Sequence, residues 1–262
     1  MKKRLITCIF LKDGMIVRSE NFKIHQIIGN PISQVKRFSD WAVDEIIYID
    51  ISTTGNYDNR RDDHMIQISN DKFDLLGEIA KNVFVPFSFG GGLRTVKDIE
   101  MVLQKGADKV VLNTGLYLDE RLLEKAVEIF GSQALVACVD YKEGFVHFSH
   151  GNVKSKYNVE EWIALLERQG IGEILLNDIS RDGKGCGYDI ETIKKMVLKS
   201  SVPIIALGGA GDYYDFSECF EEADPSAVAA GNIFHFKEHS YYHAKKSLEA
   251  DGIYIRKEYG IF

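Results

Sequence analysis

Two short stretches of the chain share their punctuation and differ in one chemically decisive residue. CIFLKDG (8–14) and CVDYKEG (138–144) both run from Cys to Lys, an acidic residue and Gly, yet the first has Phe10 where the second has Asp140. A carboxylate can take or give a proton; a benzyl group can do neither. Other stretches point to anion binding. Gly90-Gly91-Gly92 and Gly208-Gly209-Ala210-Gly211 are Gly-rich turns, and Asn113-Thr114 and Gly231-Asn232 are small polar ends of apolar runs. Glycine lets a backbone amide come close to an anion, and a helix N-terminus adds its partial positive charge. One expected site is built by Gly92, Asn113 and Thr114, the other by Gly183, Gly209, Gly231 and Asn232, with Asp182 beside it. Two such sites suit an elongated small molecule with a phosphate at each end.

These residues need elements to hold them. Strands are predicted over 5–11, 45–51, 83–89, 109–113, 134–140, 173–178, 202–207 and 227–231. They are continuously apolar, as parallel strands buried on both faces must be. Helix signals lie between them. Asn30-Pro31 reads as N-cap and first helical residue, Thr95/Asp98 and Asn158/Glu161 have capping-box spacing, and Gly131 and Gly170 are expected αL C-caps. Eight β-then-α units predict an α/β fold, a closed (β/α)8 TIM barrel, with residues 1–262 as one domain. A doubly wound open sheet normally needs fewer strands and carries a single Gly-rich fingerprint.

The two halves also repeat. VPFSFGGG (85–92) is echoed by VPIIALGGAG (202–211), ADKVVLNTG (107–115) by PSAVAAGNI (225–233), and EIIYIDIS (45–52) by EILLNDIS (173–180). The barrel is therefore expected to be two half-barrels about a pseudo-twofold axis. Phe10 and Asp140 then end symmetry-related strands that face each other across the mouth.

Composition narrows the classes. The formal net charge is −7 and there is no Lys/Arg run, which argues against nucleic acid and anionic membrane as partners. Four cysteines, Cys8, Cys138, Cys186 and Cys219, lack CxxC or CxxH spacing and read as thiols of a reduced cytoplasmic protein. The apolar run of MKKRLITCIFL is short and stops at Lys12-Asp13, so it reads as a core strand rather than a signal peptide. No stretch is long and apolar enough to span a bilayer. His25, His64, His235, His239 and His243 form no metal-ligand pattern, and neither a metal nor a cofactor is expected. His235 and Tyr213-Tyr214 read as packing residues. His147 and His150 fall in a hairpin-like segment, FVHFSHGNVK, with His150 a substitute proton carrier if the segment reaches the site.

The motifs KDG (12–14), GGG (90–92), GADKVVLNT (106–114), FGSQALVACVD (130–140), GEILLNDISRDG (172–183), GYD (187–189), PIIALGGAG (203–211) and FHF (234–236) span essentially the whole chain. Together they resemble the cyclase subunit family of imidazole glycerol phosphate synthase. The resemblance implies a two-ended phosphorylated substrate and a glutaminase partner on the N-terminal face of the barrel. It implies ammonia passing through the barrel core to an active site at the C-terminal face. It also implies two catalytic aspartates, ending the first and fifth strands. Asp140 matches one; Phe10 stands at the other, a lost catalytic position. Losing one member of an acid–base pair costs about 10²–10⁴ in rate. Asp140, Asp50 and Asp182 are the candidate catalytic carboxylates. Leu207, Asn177 and Asp178 also depart from the family's small polar or hydroxyl residues. Arg4, Glu45, Lys109 and Glu173, at the starts of the first, second, fourth and sixth strands, match the family's charged ammonia gate, against the alternative of a salt-bridged plug. The loop over 53–70 is longer than the family's and reads equally as a solvated flap or a docking surface for another enzyme.

The expected function is therefore the barrel subunit of a glutamine-dependent amidotransferase complex, passing ammonia to a separate sugar-amidating ligase in surface-polysaccharide (O-antigen) biosynthesis. The first alternative is the genuine cyclase subunit of histidine biosynthesis. The second is a non-catalytic scaffold that activates a glutaminase.

Overall fold

The computed structural model describes residues 2–53, 55, 57 and 71–256. In order, the chain forms β1 (Arg4–Lys12), β2 (Met15–Glu20), β3 (Ile24–Gly29), α1 (Pro31–Asp40), β4 (Glu45–Asp50), α2 (Lys72–Ala80), β5 (Phe87–Gly90), α3 (Val96–Gln104), β6 (Lys109–Leu112), α4 (Thr114–Leu118), α5 (Leu122–Phe130), β7 (Leu135–Lys142), β8 (Phe145–Phe148), β9 (Val153–Asn158), α6 (Val159–Arg168), β10 (Glu173–Asp178), α7 (Ile190–Lys199), β11 (Ile204–Leu207), α8 (Tyr214–Ala223), β12 (Ala227–Ala230) and α9 (Ser240–Ala250). The strands β1, β4, β5, β6, β7, β10, β11 and β12 pair in parallel in that order, and β12 pairs back to β1. The fold is a closed (β/α)8 TIM barrel.

Strand parity divides the core in two. Ile6, Cys8 and Phe10 of β1, Ile47 of β4, Val111 of β6, Val136 and Cys138 of β7, Leu175 of β10 and Ile205 and Leu207 of β11 pack together inside the barrel. The alternate residues, such as Leu5, Ile9, Ile46, Tyr48, Val139 and Ile174, pack outward against the helices. The helices start where capping chemistry says they should. Asn30 caps α1 through Ile32 and Ser33 with Pro31 at the first position, and Thr95/Asp98 and Asn158/Glu161 form reciprocal capping boxes. Gly131 takes a positive φ of 78° after α5, but its ψ of 153° lies outside the αL region expected of it.

Two of the sequence expectations need correction. The strands read from 83 and 202 begin only at Phe87 and Ile204. Pro86 and Pro203 immediately precede them, and proline has no N–H to give to a ladder. The second correction is an addition: β1 does not run directly into a loop and helix. It turns back antiparallel into β2, which pairs with β3, just as β7 turns back into β8 and then β9. The KDG and KEG motifs are the reason. Lys12 pairs with Met15 around Asp13-Gly14 (φ 51° and 87°), and Lys142 pairs with Phe145 around Glu143-Gly144 (φ 52° and 77°). Two-residue loops with both φ values positive are the tight hairpin turns that match strand twist. Each half-barrel thus carries a hairpin over the mouth.

Candidate active site

Asp140 has the same strand parity as Val136 and Cys138, so its side chain points into the barrel at the top of β7. It is buried. Asn177 Nδ2 donates to its Oδ1 at 2.7 Å, Asn113 Nδ2 to its Oδ2 at 2.8 Å, and the Cys138 thiol lies 3.4 Å from Oδ1. Burial pushes the Asp140 carboxyl above its ordinary range, against the amide and thiol hydrogen bonds that would lower it. A buried carboxyl that holds its proton longer than usual, at the floor of an open cleft, is equipped to donate or accept one. The cleft is lined by Asp140, Asn113, Thr114, Gly92, Arg94 and His150 among others, with Phe10 on its wall.

The symmetry-related nest is built the opposite way. The repeats align Phe10 with Asp140, Ile49 with Asn177 and Gly231 with Asn113. The registers agree: Phe10 sits opposite Ile49 as Asp140 sits opposite Asn177. A methyl on Gly231 would lie 3.8 Å from the Phe10 ring. No neighbour at these aligned positions offers a side-chain hydrogen bond.

The two expected anion sites also differ. At the first, Lys72 of α2 reaches over the turn, and its Nζ donates to the carbonyls of Gly91 and Gly92, both at 3.1 Å. Arg94 follows the glycine turn within two residues, a proximity that marks it in the sequence, whereas Lys72 stands 20 positions before Gly92 and carries no such signal. Asn113 is turned toward Asp140, and the Thr114 hydroxyl accepts from the Ser149 amide at 3.0 Å. At the second, the glycines are contact points of the fold. A Cβ on Gly183 would stand 2.3 Å from the Ser19 carbonyl oxygen, on Gly209 2.0 Å from that of Gly187, and on Gly231 2.7 Å from that of Cys8. Asn232 donates its side-chain amide to the Ser19 carbonyl at 2.7 Å. The cleft that takes in Gly92, Asn113 and Thr114 includes none of these four residues in its lining.

Asp50 and Asp182 do not join Asp140 as a carboxylate pair. Asp50 shares the parity of Ile46 and Tyr48, which face outward, so it is off the barrel axis although it lines the same cleft as Asp140. Its Oδ1 accepts from the Ser52 amide at 2.9 Å and its Oδ2 from the Tyr57 hydroxyl at 2.5 Å. Its repeat mate Asp178 holds Ser180 and Arg181 in the same manner. Both carboxylates brace the loop after their own strand. Asp182 fastens the β2–β3 turn: Ser19 Oγ donates to its Oδ2 at 2.6 Å and the Phe22 amide at 2.8 Å. Burial raises its carboxyl too, opposed by those bonds. His150 lies at the β8–β9 tip with φ 59° and lines the cleft. His147 meets the Gly151 carbonyl at 3.2 Å, and His235 packs edge-on against Phe38, 3.0 Å from Gln34 Nε2. His64 and most of the 53–70 loop lie outside the described residues. Among the described residues no group of His, Cys, Asp or Glu is placed to hold a metal ion, and no helix is long and apolar enough to cross a membrane.

At the opposite end, four charged side chains close the barrel floor. Arg4 bridges Glu45 (2.7 Å) and Glu173, and Lys109 reaches Glu173 at 2.7 Å. Burial alone would depress the Arg4 guanidinium, but Glu173 and Glu45 hold it above its usual range. Burial raises Glu45 despite Arg4 and Lys109.

A closed barrel with a buried carboxyl at the carboxyl ends of its strands belongs among the (β/α)8 proteins whose chemistry sits at that face. Within that class, the chain belongs to the family of the histidine biosynthesis protein, whose family model matches residues 4–240. It is 33% identical over 260 residues to the imidazole glycerol phosphate synthase subunit HisF of Natranaerobius thermophilus, covering 98% of this chain and 99% of that one. It is 34% identical over 258 residues to the protein of the same name from Saccharolobus solfataricus, covering 97% and 98%. It is 35% identical over 241 residues to the putative imidazole glycerol phosphate synthase subunit hisF2 of Pseudomonas aeruginosa, covering 90% and 92%.

Proposed function

We propose that the chain is the ammonia-using barrel subunit of a glutamine-dependent synthase of the imidazole glycerol phosphate synthase kind. The observation that carries this reading is an alignment on one axis. A charged ring at the floor, an apolar interior and the buried Asp140 at the mouth lie in series. The names of the relatives favour the cyclase as the reaction at the mouth. In this reading Asp140 moves protons on the substrate, steadied by Asn113 and Asn177. One substrate phosphate lies at the Gly92–Thr114 turn under Lys72 and Arg94. A glutaminase docks on the floor around Arg4, Glu45, Lys109 and Glu173 and feeds ammonia inward.

A second reading is favoured by Phe10. With a ring in place of the carboxylate, and an apolar nest around it, two-carboxylate chemistry lacks a member. The barrel would then deliver ammonia to a separate sugar-amidating enzyme. The deciding experiment is turnover of the relatives' substrate with an ammonium salt and no partner. A rate of about 1 s⁻¹ or more supports the cyclase. A folded chain that binds the glutaminase and turns nothing over leaves the delivery reading. Lys109→Glu then tests the floor: glutamine hydrolysis uncoupled from ammonia use supports the gate, and unchanged coupling leaves a structural plug.

A further inference from the structure

A second cleft opens beside the first, between the β2–β3 hairpin and the tip of the β8–β9 hairpin. Phe10, Phe22, Ile51 and His150 line both clefts and form the wall between them. The compartments on the two sides of this wall differ in charge: one mixes carboxylates with a cation, the other holds cations. On one side stand Asp140 and Asp50 together with Arg94. On the other stand Lys12, Lys23 and His25, with no carboxylate among the described residues of the lining.

Among the described residues the basic side lacks internal neutralisation. Among the described residues neither Lys12 nor Lys23 forms an ion pair with a carboxylate. Lys12 Nζ instead lies 3.4 Å from His25 Nδ1. Burial and the Lys12 charge hold His25 below its ordinary value. The acidic charge nearest in effect is Asp182, whose Oδ2 is already held by Ser19 and the Phe22 amide. Two ammonium groups at one cleft repel each other, and an anion between them offsets that repulsion. The roof over it is formed by both halves: a methyl on Gly151 would lie 3.3 Å from the Phe22 ring, so the two hairpin tips meet there.

We propose that this compartment is an anion subsite that takes a phosphate group of a small molecule, separated from Asp140 by the Phe10 ring. Lysine acts as a point charge for phosphate, and Asn152 in the same lining, with one amide hydrogen on the Ser149 carbonyl, has a second to offer. The subsite differs from the Gly-rich turns in its means, side-chain cations in place of backbone amides. It rests on the geometry of the mouth and on no particular reaction.

The test reads binding without turnover. The chain is titrated with inorganic phosphate at constant ionic strength while the ring resonances of His25 and His150 are followed by NMR. Saturable shifts at His25 are expected. Lys12→Gln combined with Lys23→Gln should weaken them by roughly tenfold or more, the scale of losing a charged hydrogen bond. A urea midpoint confirms that the double variant is folded; His25→Gln, which keeps both lysines, is expected to weaken the His150 response less. A silent His25, an unchanged affinity in the double variant, or an equal response to acetate would each overturn the assignment. Failure of the synthase reading in a turnover assay leaves this result untouched.

Discussion

The tops of β1 and β7 are the same backbone device used twice, with opposite contents. Each strand ends in a tight turn with two positive φ values and folds back into a hairpin over the mouth. Inside the β7 turn, three polar positions cooperate: Asp140 with amides from Asn113 and Asn177. Inside the β1 turn, the aligned positions are Phe10, Gly231 and Ile49. The difference is therefore a whole environment and not one side chain. A carboxylate alone, placed at position 10, would find no aligned donor. The turn sets the backbone, and three inward residues from three strands set the chemistry.

The largest effect should separate the two nests by activity. Asp140→Asn should lower turnover with ammonium by about 10²–10⁴, and Phe10→Ala should stay within roughly tenfold of wild type. Equal losses, measured as kcat/KM, would erase the distinction. Stability gives the next contrast. Phe10→Asp removes a packed ring and buries an unsatisfied carboxylate, and should cost about 3 kcal/mol or more in urea unfolding. A cost near zero would mean that the β1 nest is wetter than its burial suggests.

The anion turns offer a third contrast. Gly209→Ala sets a methyl 2.0 Å from the Gly187 carbonyl oxygen, whereas at Gly92 the nearest atom is the movable Lys72 Nζ at 3.1 Å. Expected losses are about 3 kcal/mol for Gly209→Ala and about 1 kcal/mol for Gly92→Ala, read from denaturant midpoints. Asp140 supplies a pH signature. Its folded pKa lies above the unfolded one. The stability it contributes relative to Asp140→Asn is therefore present below the unfolded carboxylate range and lost as pH rises through the folded value. Each pKa unit between the states is worth about 1.4 kcal/mol. A pH-independent gap between the two chains would contradict a buried, raised carboxyl. The smallest effect tests the shared turn. Glu143 sits exposed at φ 52°, where Asn is better tolerated, so Glu143→Asn should gain about 0.5 kcal/mol and raise Tm by a degree or two.

Much of this architecture was legible in the chain. Continuous apolar runs placed eight strands because barrel strands are covered on both faces, and Asn30, Thr95 and Asn158 marked helix starts through side-chain geometry that is local. The β2–β3 hairpin does not show in the apolar pattern, and its one local signal is the Asp13-Gly14 pair, which favours a tight turn with both φ values positive. That Asp50 has outward parity and Asp140 inward parity follows from the register of each strand, which residue types alone do not give. Asn113 and Asn177 converge on Asp140 from strands separated in sequence, so only the closed ring reveals that they share one carboxylate. The crowding at Gly183, Gly209 and Gly231 comes from Ser19, Gly187 and Cys8, contacts that no local pattern encodes.

The interior of the barrel has one more consequence. From the floor to Asp140 it is walled by Ile6, Ile47, Val111, Val136, Leu175, Ile205, Ala227 and Ala229. Such a column is an electrical insulator. A bare cation entering it faces a desolvation penalty on the order of tens of kcal/mol in the Born limit, while a small uncharged molecule gives up only its hydrogen bonds with water, a few kcal/mol. An interior of this kind discriminates by charge state before it discriminates by size. Asp140, the carboxyl at the far end of this column, keeps its proton longer than an exposed acid would.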